Sequence, residues 1–324
     1  MKMSDWQPSA TIERLTQRAA LFAYIRHFFQ QLNVLEVDTP VMSQCAVSDP
    51  FIDSFELDYS PVVGVDTQKY YLQTSPEYAM KRLLAAGSGA IYQMGKVFRN
   101  GECGRRHNPE FTMLEWYQPG YDDQQLMDEV EALVQPVLGL TSIERVTYSD
   151  LFMRYLGFRP EQAELAELVT ETKKHVDIEL EDDDPDTWLN LLLSHVIEPQ
   201  LVHVDAIFVT DYPASQAALA KVRLNGAGEQ VAARFELFIK GVELANGYHE
   251  LTDHQEQARR LRADQAQRGS LGLPQRPLDD RLVDALAAGL PDCAGVALGV
   301  DRLLMLASDA TSIAEVIPFD HTRA

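Results

Sequence analysis

Phe98-Arg99-Asn100 … Arg106-His107-Asn108-Pro109-Glu110-Phe111-Thr112-Met113-Leu114-Glu115 is the stretch that decides how this chain reads. An apolar run from Ala90 to Phe98 ends at Arg99, and a second, Phe111 to Tyr117, begins after Pro109. The spacing predicts strand, basic loop, strand. The loop carries Arg99, Arg105, Arg106 and His107, with an aromatic ring (Phe111) and a carboxylate (Glu115) beside it. A guanidinium is planar, always charged and binds phosphate oxygens in pairs, so these arginines suit a phosphate-bearing ligand. Read alone, the same pattern also describes a hairpin with a solvated basic tip.

The rest of the chain narrows the choice. Its 324 residues are 46% hydrophobic and 24% charged, the balance of a globular protein. Cys45, Cys103 and Cys293 are far apart and form no CxxC, which argues against a zinc site and a disulfide framework and fits a reducing, cytoplasmic setting. Met1 to Pro8 has no apolar signal core, and no run reaches the ~20 apolar residues of a membrane span, so no membrane association is expected. The net charge of −21 opposes non-specific binding to nucleic acid, which needs cations to replace condensed counterions.

Periodicity predicts a helix over Ser9 to Leu32, capped by Ser9, with Ile12, Leu15, Ala19, Phe22, Ile25, Phe29 and Leu32 on its apolar face. A strand, Val34 to Thr39, follows and is closed by Pro40. This pair either packs in the core or meets a second copy. Lys69 to Gln73 reads as a strand, and Ser75-Pro76-Glu77 opens a helix with Ser75 as cap and Pro76 as its first residue. Helices are expected at Asp122 to Leu138 and Tyr148 to Leu156, and a helical insertion at about 140–205 is interrupted by the acidic run Glu181 to Asp184. Arg234 to Ile239 and Val242 to Tyr248 form a hairpin turning at Lys240-Gly241. Asp253 to Arg268 is an arginine-rich helix whose charges are solvated or face an acidic partner. Strand pairs joined as hairpins without βαβ alternation point to an α+β fold, a mainly antiparallel sheet flanked by helices.

Two further clusters could do chemistry. In Cys293 to Arg302, small residues at 294, 295, 297 and 299 let a ligand approach the backbone, and Arg302 lies in the first turn of a helix, where anions are favoured. No Walker lysine motif and no GxGxxG follows a strand. In the hairpin, Asn246, Tyr248 and Glu250 alternate on one face, while Glu236 and Glu243 flank the turn. Two carboxylates meeting there need a cation between them, and Mg²⁺ with ATP phosphates is the natural one. Glu243 has the wrong parity to share the face of 246, 248 and 250, so a bulge near Gly247 is expected, or the roles split across faces.

Taken together, these motifs resemble the signature of class II aminoacyl-tRNA synthetases, and of the lysyl type above all. Val34 to Pro40 with its preceding helix resembles motif 1, Phe98 to Met113 motif 2, Gly295 to Leu304 motif 3, and Arg234 to Leu251 the stretch that holds magnesium and lysine. The resemblance runs from about Ser9 onward and implies a single synthetase-like catalytic domain over 1–324 without an anticodon-binding OB domain. Free-standing domains of this type include paralogues that attach (R)-β-lysine to a lysine of bacterial elongation factor P. The chain is similar to these throughout, including Trp6 to Ala10, Pro213 to Ala217 and Pro291 to Cys293.

The resemblance implies roles. Arg99 and Arg302 would be catalytic, Arg99 on the α-phosphate and substrate carboxylate, Arg302 stacking on adenine or clamping the γ-phosphate. Arg106 or His107 would reach the outer phosphates and Phe111 would stack on adenine. Asn100, Glu102, Leu244 and Gly299 would complete the ATP site. Ser75, Pro76, Glu77, Glu115, Tyr117, Asn246, Tyr248, Glu250 and Ala297 would line the amino-acid pocket, and Glu236 and Glu243 would hold Mg²⁺. The expected substrates are ATP and (R)-β-lysine or lysine, and the expected partners are elongation factor P and a second copy of the chain, with tRNA unlikely. Two positions depart from the lysyl-type pattern. Gly101 stands where a glutamate reads adenine, with Glu102 next to it, and Ala297 stands where glycine is usual. Rival readings are transfer of lysine to tRNA or a small acceptor, and a silent paralogue that senses an amino acid.

Overall fold

The computed structural model describes residues 6–62, 64 and 66–324. The chain forms two compact units, one from the segment up to Gly120 and from Leu251 onward, the other from Tyr121–Glu250. The first unit opens with helix α1 (Ile12–Gln31). Its cap is Thr11, whose Oγ1 accepts the Arg14 amide at 3.2 Å. Ser9, expected in that role, instead accepts the Asp320 amide at 3.1 Å and ties the start of the chain to its end. The buried stripe of α1 is Arg18, Leu21, Ile25 and Phe29, and Phe29 stacks on Tyr92 at 4.3 Å. There follow β1 (Leu35–Glu36), β2 (Met42–Ser43), β3 (Glu56–Tyr59), β4 (Gln68–Leu72), α2 (Glu77–Ala85), β5 (Ile91–Phe98) and β6 (Glu110–Pro119). Pro76 lies just outside α2, and the Ser75 hydroxyl accepts the Glu77 amide at 3.0 Å.

The second unit contains α3 (Asp123–Leu138), β7 (Glu144–Thr147), α4 (Tyr148–Leu156), α5 (Leu165–His175), α6 (Pro185–Leu192), β8 (Ala206–Pro213), β9 (Val222–Leu224), β10 (Gln230–Ile239) and β11 (Val242–His249). Helical turns continue from α6 to His203. The acidic run is a helix approach: Asp184 caps α6 through the Asp186 amide, and Asp182 takes the Thr187 hydroxyl. Strands here run β11-β10-β8-β7, with β9 beside β10, and only β7–β8 is parallel. Tyr148, Phe152, Trp188, Leu192, Ile207 and Phe238 fill the core behind them.

The first unit resumes with α7 (His254–Ser270), α8 (Asp280–Gly289), β12 (Cys293–Gly299) and α9 (Val300–Ala307). Its strands run β1-β5-β6-β12; β1–β5 is parallel and the other pairs are antiparallel, while β2-β4-β3 form a small sheet of their own. Met80 and Leu84 of α2 pack with Leu282 and Leu286 of α8, fixing the helix that follows Ser75. Both units are α+β and mainly antiparallel, as the hairpin pattern predicts. Arg268, read from sequence as a solvated or partner-facing charge, is buried, with Nη1 donating to the Asp49 carbonyl at 2.8 Å. Among the described residues no helix is long and apolar enough to cross a membrane.

Candidate active site

The basic loop leaves β5 at Phe98 and returns to β6 at Glu110, and the two strands pair in register from Ile91↔Tyr117 to Phe98↔Glu110. Arg99 is anchored at its own backbone, where its N–H meets the Pro109 carbonyl at 2.9 Å. Its guanidinium lies over the Phe111 ring, 5.2 Å from the centroid, and 3.5 Å from Glu102 Oε1. Between them Gly101 takes φ +81, a left-handed turn open to glycine, and this turn brings Glu102 back to Arg99. Asn100 is held by Asp53: its amide nitrogen donates to Oδ2 at 2.9 Å and its backbone N–H to the Asp53 carbonyl at 2.8 Å. Arg276 steadies the other Asp53 oxygen at 2.9 Å. Arg302, in the first turn of α9, places Nη2 2.7 Å from His107 Nε2. Gly299 adjoins it, and a methyl there would make ordinary contact with the Arg302 side chain, 3.6 Å from Cβ. The neighbouring Asp301 fixes α9: Oδ1 pairs with buried Arg18 at 2.5 Å and Oδ2 accepts the Thr112 amide at 2.8 Å.

A carboxylate cluster lies on α2 and β6. Glu115 is buried, accepting the Ser75 hydroxyl at 2.8 Å and the Tyr117 hydroxyl at 2.6 Å. Burial and the charge of Glu77 push its carboxyl up to about 7, against the hydroxyl donors and Lys81. Glu77 itself pairs with Lys81 at 2.6 Å, and Pro76 is buried at the base of the turn. Ala297 of β12 is the direct cross-strand partner of Glu115, so the two share a face.

In the second unit the β10–β11 hairpin turns at Lys240 (φ 48) and Gly241 (φ 70). The bulge falls at Leu244, earlier than the sequence suggested: Leu237 pairs with Ala245 and Phe238 with Glu243. One extra residue reverses parity, and Glu243 therefore joins Glu236, Asn246 and Tyr248 on one face. Glu236 is nearly buried, held by Arg234 at 2.5 Å, by the Tyr212 hydroxyl at 2.8 Å and by Asn246 Nδ2 at 3.2 Å. Burial raises its proton affinity, Arg234 lowers it, and the charge of Glu243 raises it further. Asn246 Oδ1 is buried without a hydrogen-bond partner. Tyr248 pairs across from Arg234, and Glu250 is buried at a bridge to Ala220. Gly247 is required because a side chain there would overlap the ring of Phe235.

Buried Glu236, beside the charge of Glu243 and an orphaned amide oxygen, fits a hard divalent cation. Among the described residues no group of three or more His, Cys, Asp and Glu is arranged to hold a metal. A Mg²⁺ bound by one or two carboxylates takes its remaining ligands from phosphate and water. The expected site residues thus fall as follows. Ser75, Pro76, Glu77, Arg99, Asn100, Glu102, Arg106, His107, Phe111, Glu115, Tyr117, Ala297, Gly299 and Arg302 belong to the first unit; Glu236, Glu243, Leu244, Asn246, Tyr248 and Glu250 belong to the second. Sequence reading missed Lys81, Asp53, Tyr212 and Arg234. Lys81 had a signal, its i,i+4 spacing from Glu77, and so did Arg234, two positions before Glu236 on the same strand face; Asp53 and Tyr212 are brought in by tertiary packing alone.

The family of class II tRNA synthetases (D, K and N) matches residues 2–323, and the chain belongs to it. Within it, the chain is 51% identical to a Vibrio cholerae protein over 326 residues, covering all of both chains. It is 50% identical to one from Yersinia enterocolitica, covering 99% of each, and 48% identical to one from Pasteurella multocida, covering 98% of each. All three relatives bear the name elongation factor P–(R)-β-lysine ligase.

Proposed function

We propose that the protein activates (R)-β-lysine with ATP and transfers it to a lysine side chain of elongation factor P. Full-length similarity to ligases of that name supports the reading. The observation that carries it is the placement of Ala297 directly across from buried Glu115. An added methyl beside the carboxylate that receives a substrate ammonium disfavours one position of the amine, and one methyl shifts selectivity by ~1–3 kcal/mol.

In the first step the amino-acid carboxylate attacks the α-phosphorus of ATP, giving an acyl-adenylate and pyrophosphate. A carboxylate is ionised at neutral pH and needs no base. Arg99 binds the α-phosphate and the substrate carboxylate, Phe111 carries the adenine, and Arg302 and His107 take the outer phosphates. Asn100, Glu102 and Gly299 complete the first unit's nucleotide contacts. Fixed guanidinium groups aimed at developing charge are worth a large share of such a barrier. Glu236 and Glu243 would hold Mg²⁺, which when bound would draw negative charge off the triphosphate. Ser75, Glu77, Glu115 and Tyr117 orient a substrate amine within the first unit. Asn246, Tyr248 and Glu250 are the second unit's own candidates for amine binding. In the second step the acceptor amine attacks the adenylate carbonyl, loses a proton, and expels AMP to form the amide.

The protein works in the cytoplasm, to which its three free thiols are suited. It acts as a homodimer through α1 and the segment after it, where Leu32, Leu35, Val41 and Met42 leave apolar surface exposed. tRNA is not its acceptor, in keeping with a net charge of −21. Amino-acid-dependent exchange of pyrophosphate into ATP tests the activation step: (R)-β-lysine should support it better than lysine, and no exchange with either would refute it.

A further inference from the structure

Lys81 is a fully buried lysine. Its Nζ pairs with Glu77 Oε1 at 2.6 Å, one turn back along α2. An ammonium leaves water at a steep desolvation penalty and is retained in an interior only where anions face it. One partially exposed glutamate on the same helix is a weak reason to keep it there. The stronger reason lies on the neighbouring strand. Glu115 of β6 is buried, and it feels both the anion of Glu77 and the cation of Lys81. Ser75 ties the Glu115 carboxylate to the first turn of α2, because its hydroxyl donates to Glu115 at 2.8 Å while accepting the Glu77 backbone amide at 3.0 Å. Tyr117, which donates to Glu115, and Tyr78 also face this cluster. Tyr78 lies within reach of both Glu77 and Lys81 and meets Ser48, which donates to Asp264 of α7. The cluster therefore holds two carboxylates and one built-in ammonium.

We propose that Lys81 is a specificity-determining positioning residue, a resident counter-cation that occupies Glu77 and leaves Glu115 to receive a single substrate ammonium. The inference rests on the reading of Ser75, Glu77, Glu115 and Tyr117 as an amino-acid subsite. Without Lys81, buried Glu115 would feel the charge of Glu77 with no cation to offset it, and a like charge nearby favours the protonated carboxyl. An incoming ammonium would have to expel that proton. With Lys81 in place much of that price is removed before the substrate arrives, and the subsite accepts one ammonium and rejects a second.

Calorimetric titration of the full-length protein with lysine and with (R)-β-lysine, in buffers of different ionisation heat, reads both affinity and protons released per amino acid bound. Lys81→Met should weaken amino-acid binding by about tenfold or more and release more protons, with ATP affinity held within about twofold. Lys81→Arg should return the proton count to that of the unaltered protein. If Lys81→Met does not fold, Lys81→Gln, which keeps a donor to Glu77 without the charge, should show the same excess proton release. Unchanged affinity and proton count in the neutral variants, or parallel loss of amino acid and ATP, would overturn the proposal. Failure of the unaltered protein to bind either amino acid would remove the subsite reading itself, a result distinct from both.

Discussion

Nη2 of Arg302 and Nε2 of His107 lie 2.7 Å apart, joining the first turn of α9 to the loop between β5 and β6. A guanidinium only donates, so His107 Nε2 is the acceptor and the ring proton sits on Nδ1. The same loop begins with Arg99, whose guanidinium lies over Phe111 at the start of β6. Residues from distant parts of the sequence thus bring two permanent positive charges to one loop.

Removing either charge should abolish adenylate formation. Arg99→Ala and Arg302→Ala are each expected to lower pyrophosphate exchange by about 100-fold or more. Arg302→Lys should recover little, because a point charge does not reproduce a planar fork. Near-normal exchange in both alanine variants would remove the phosphate clamp.

Amino-acid binding should depend on pH through Glu115. Its carboxyl is pushed up to about 7, so protonation on going below that pH removes the charge proposed to receive an ammonium. The apparent KM for the amino acid is expected to rise as pH falls through about 7, and Glu115→Gln should have a high KM with that limb flattened. Linkage gives a second readout. The folded state holds this proton where the unfolded chain, at an ordinary 4.5, has released it. Stability contributed by Glu115 therefore declines as pH rises from about 4.5 to about 7, and urea titrations should show that slope reduced in Glu115→Gln. A KM and a stability slope indifferent to the substitution would contradict the assignment.

The bulged hairpin should tolerate no side chain at Gly247, where a methyl would sit 2.6 Å from Phe235 Cε1. Gly247→Ala is expected to lose about 1–3 kcal/mol of stability by chemical denaturation. Adding Phe235→Leu should recover part of the loss, and a fully stable Gly247→Ala would mean that the ring has another place to go.

Asp301 should matter for stability as well as for the site. Its Oδ1 pairs with buried Arg18 at 2.5 Å. Asp301→Asn leaves that guanidinium buried without an anion, a change expected to lose about 3–5 kcal/mol. The midpoint of urea unfolding checks this; a shift within the error of the unaltered protein would show that water already screens the pair.

Local chemistry accounts for what was legible in sequence. Strand, basic loop and strand were readable because apolar runs stop at Arg99 and restart after Pro109, and the Lys240-Gly241 turn because its second residue is glycine. Alternation put Asn246 and Tyr248 on one face; the cross-strand partner of Glu236 is Asn246, and that of Glu243 is Phe238. The bulge at Leu244 was not legible, since a buried leucine carries no mark of being the unpaired residue; Gly247 drew attention instead, for a reason that turned out to be the Phe235 ring. The helix cap was misplaced because Ser9 and Thr11 are chemically equivalent candidates, and only the distant Asp320 amide decides between them. Arg268 looked solvated because its helix is polar throughout, but the Asp49 carbonyl and Asp53 receive it in the interior. The spacing of Lys81 from Glu77 marks the ion pair in sequence, but the burial of the lysine comes from the packed site and not from its neighbours in the chain.

Intact-mass measurement of elongation factor P tests the central claim most directly. Purified protein would be incubated with ATP, Mg²⁺ and (R)-β-lysine, with elongation factor P and lysine tRNA as competing acceptors. A gain of one β-lysyl group on a lysine of elongation factor P, with the tRNA left uncharged, is the predicted result. Charged tRNA beside unmodified elongation factor P would contradict it.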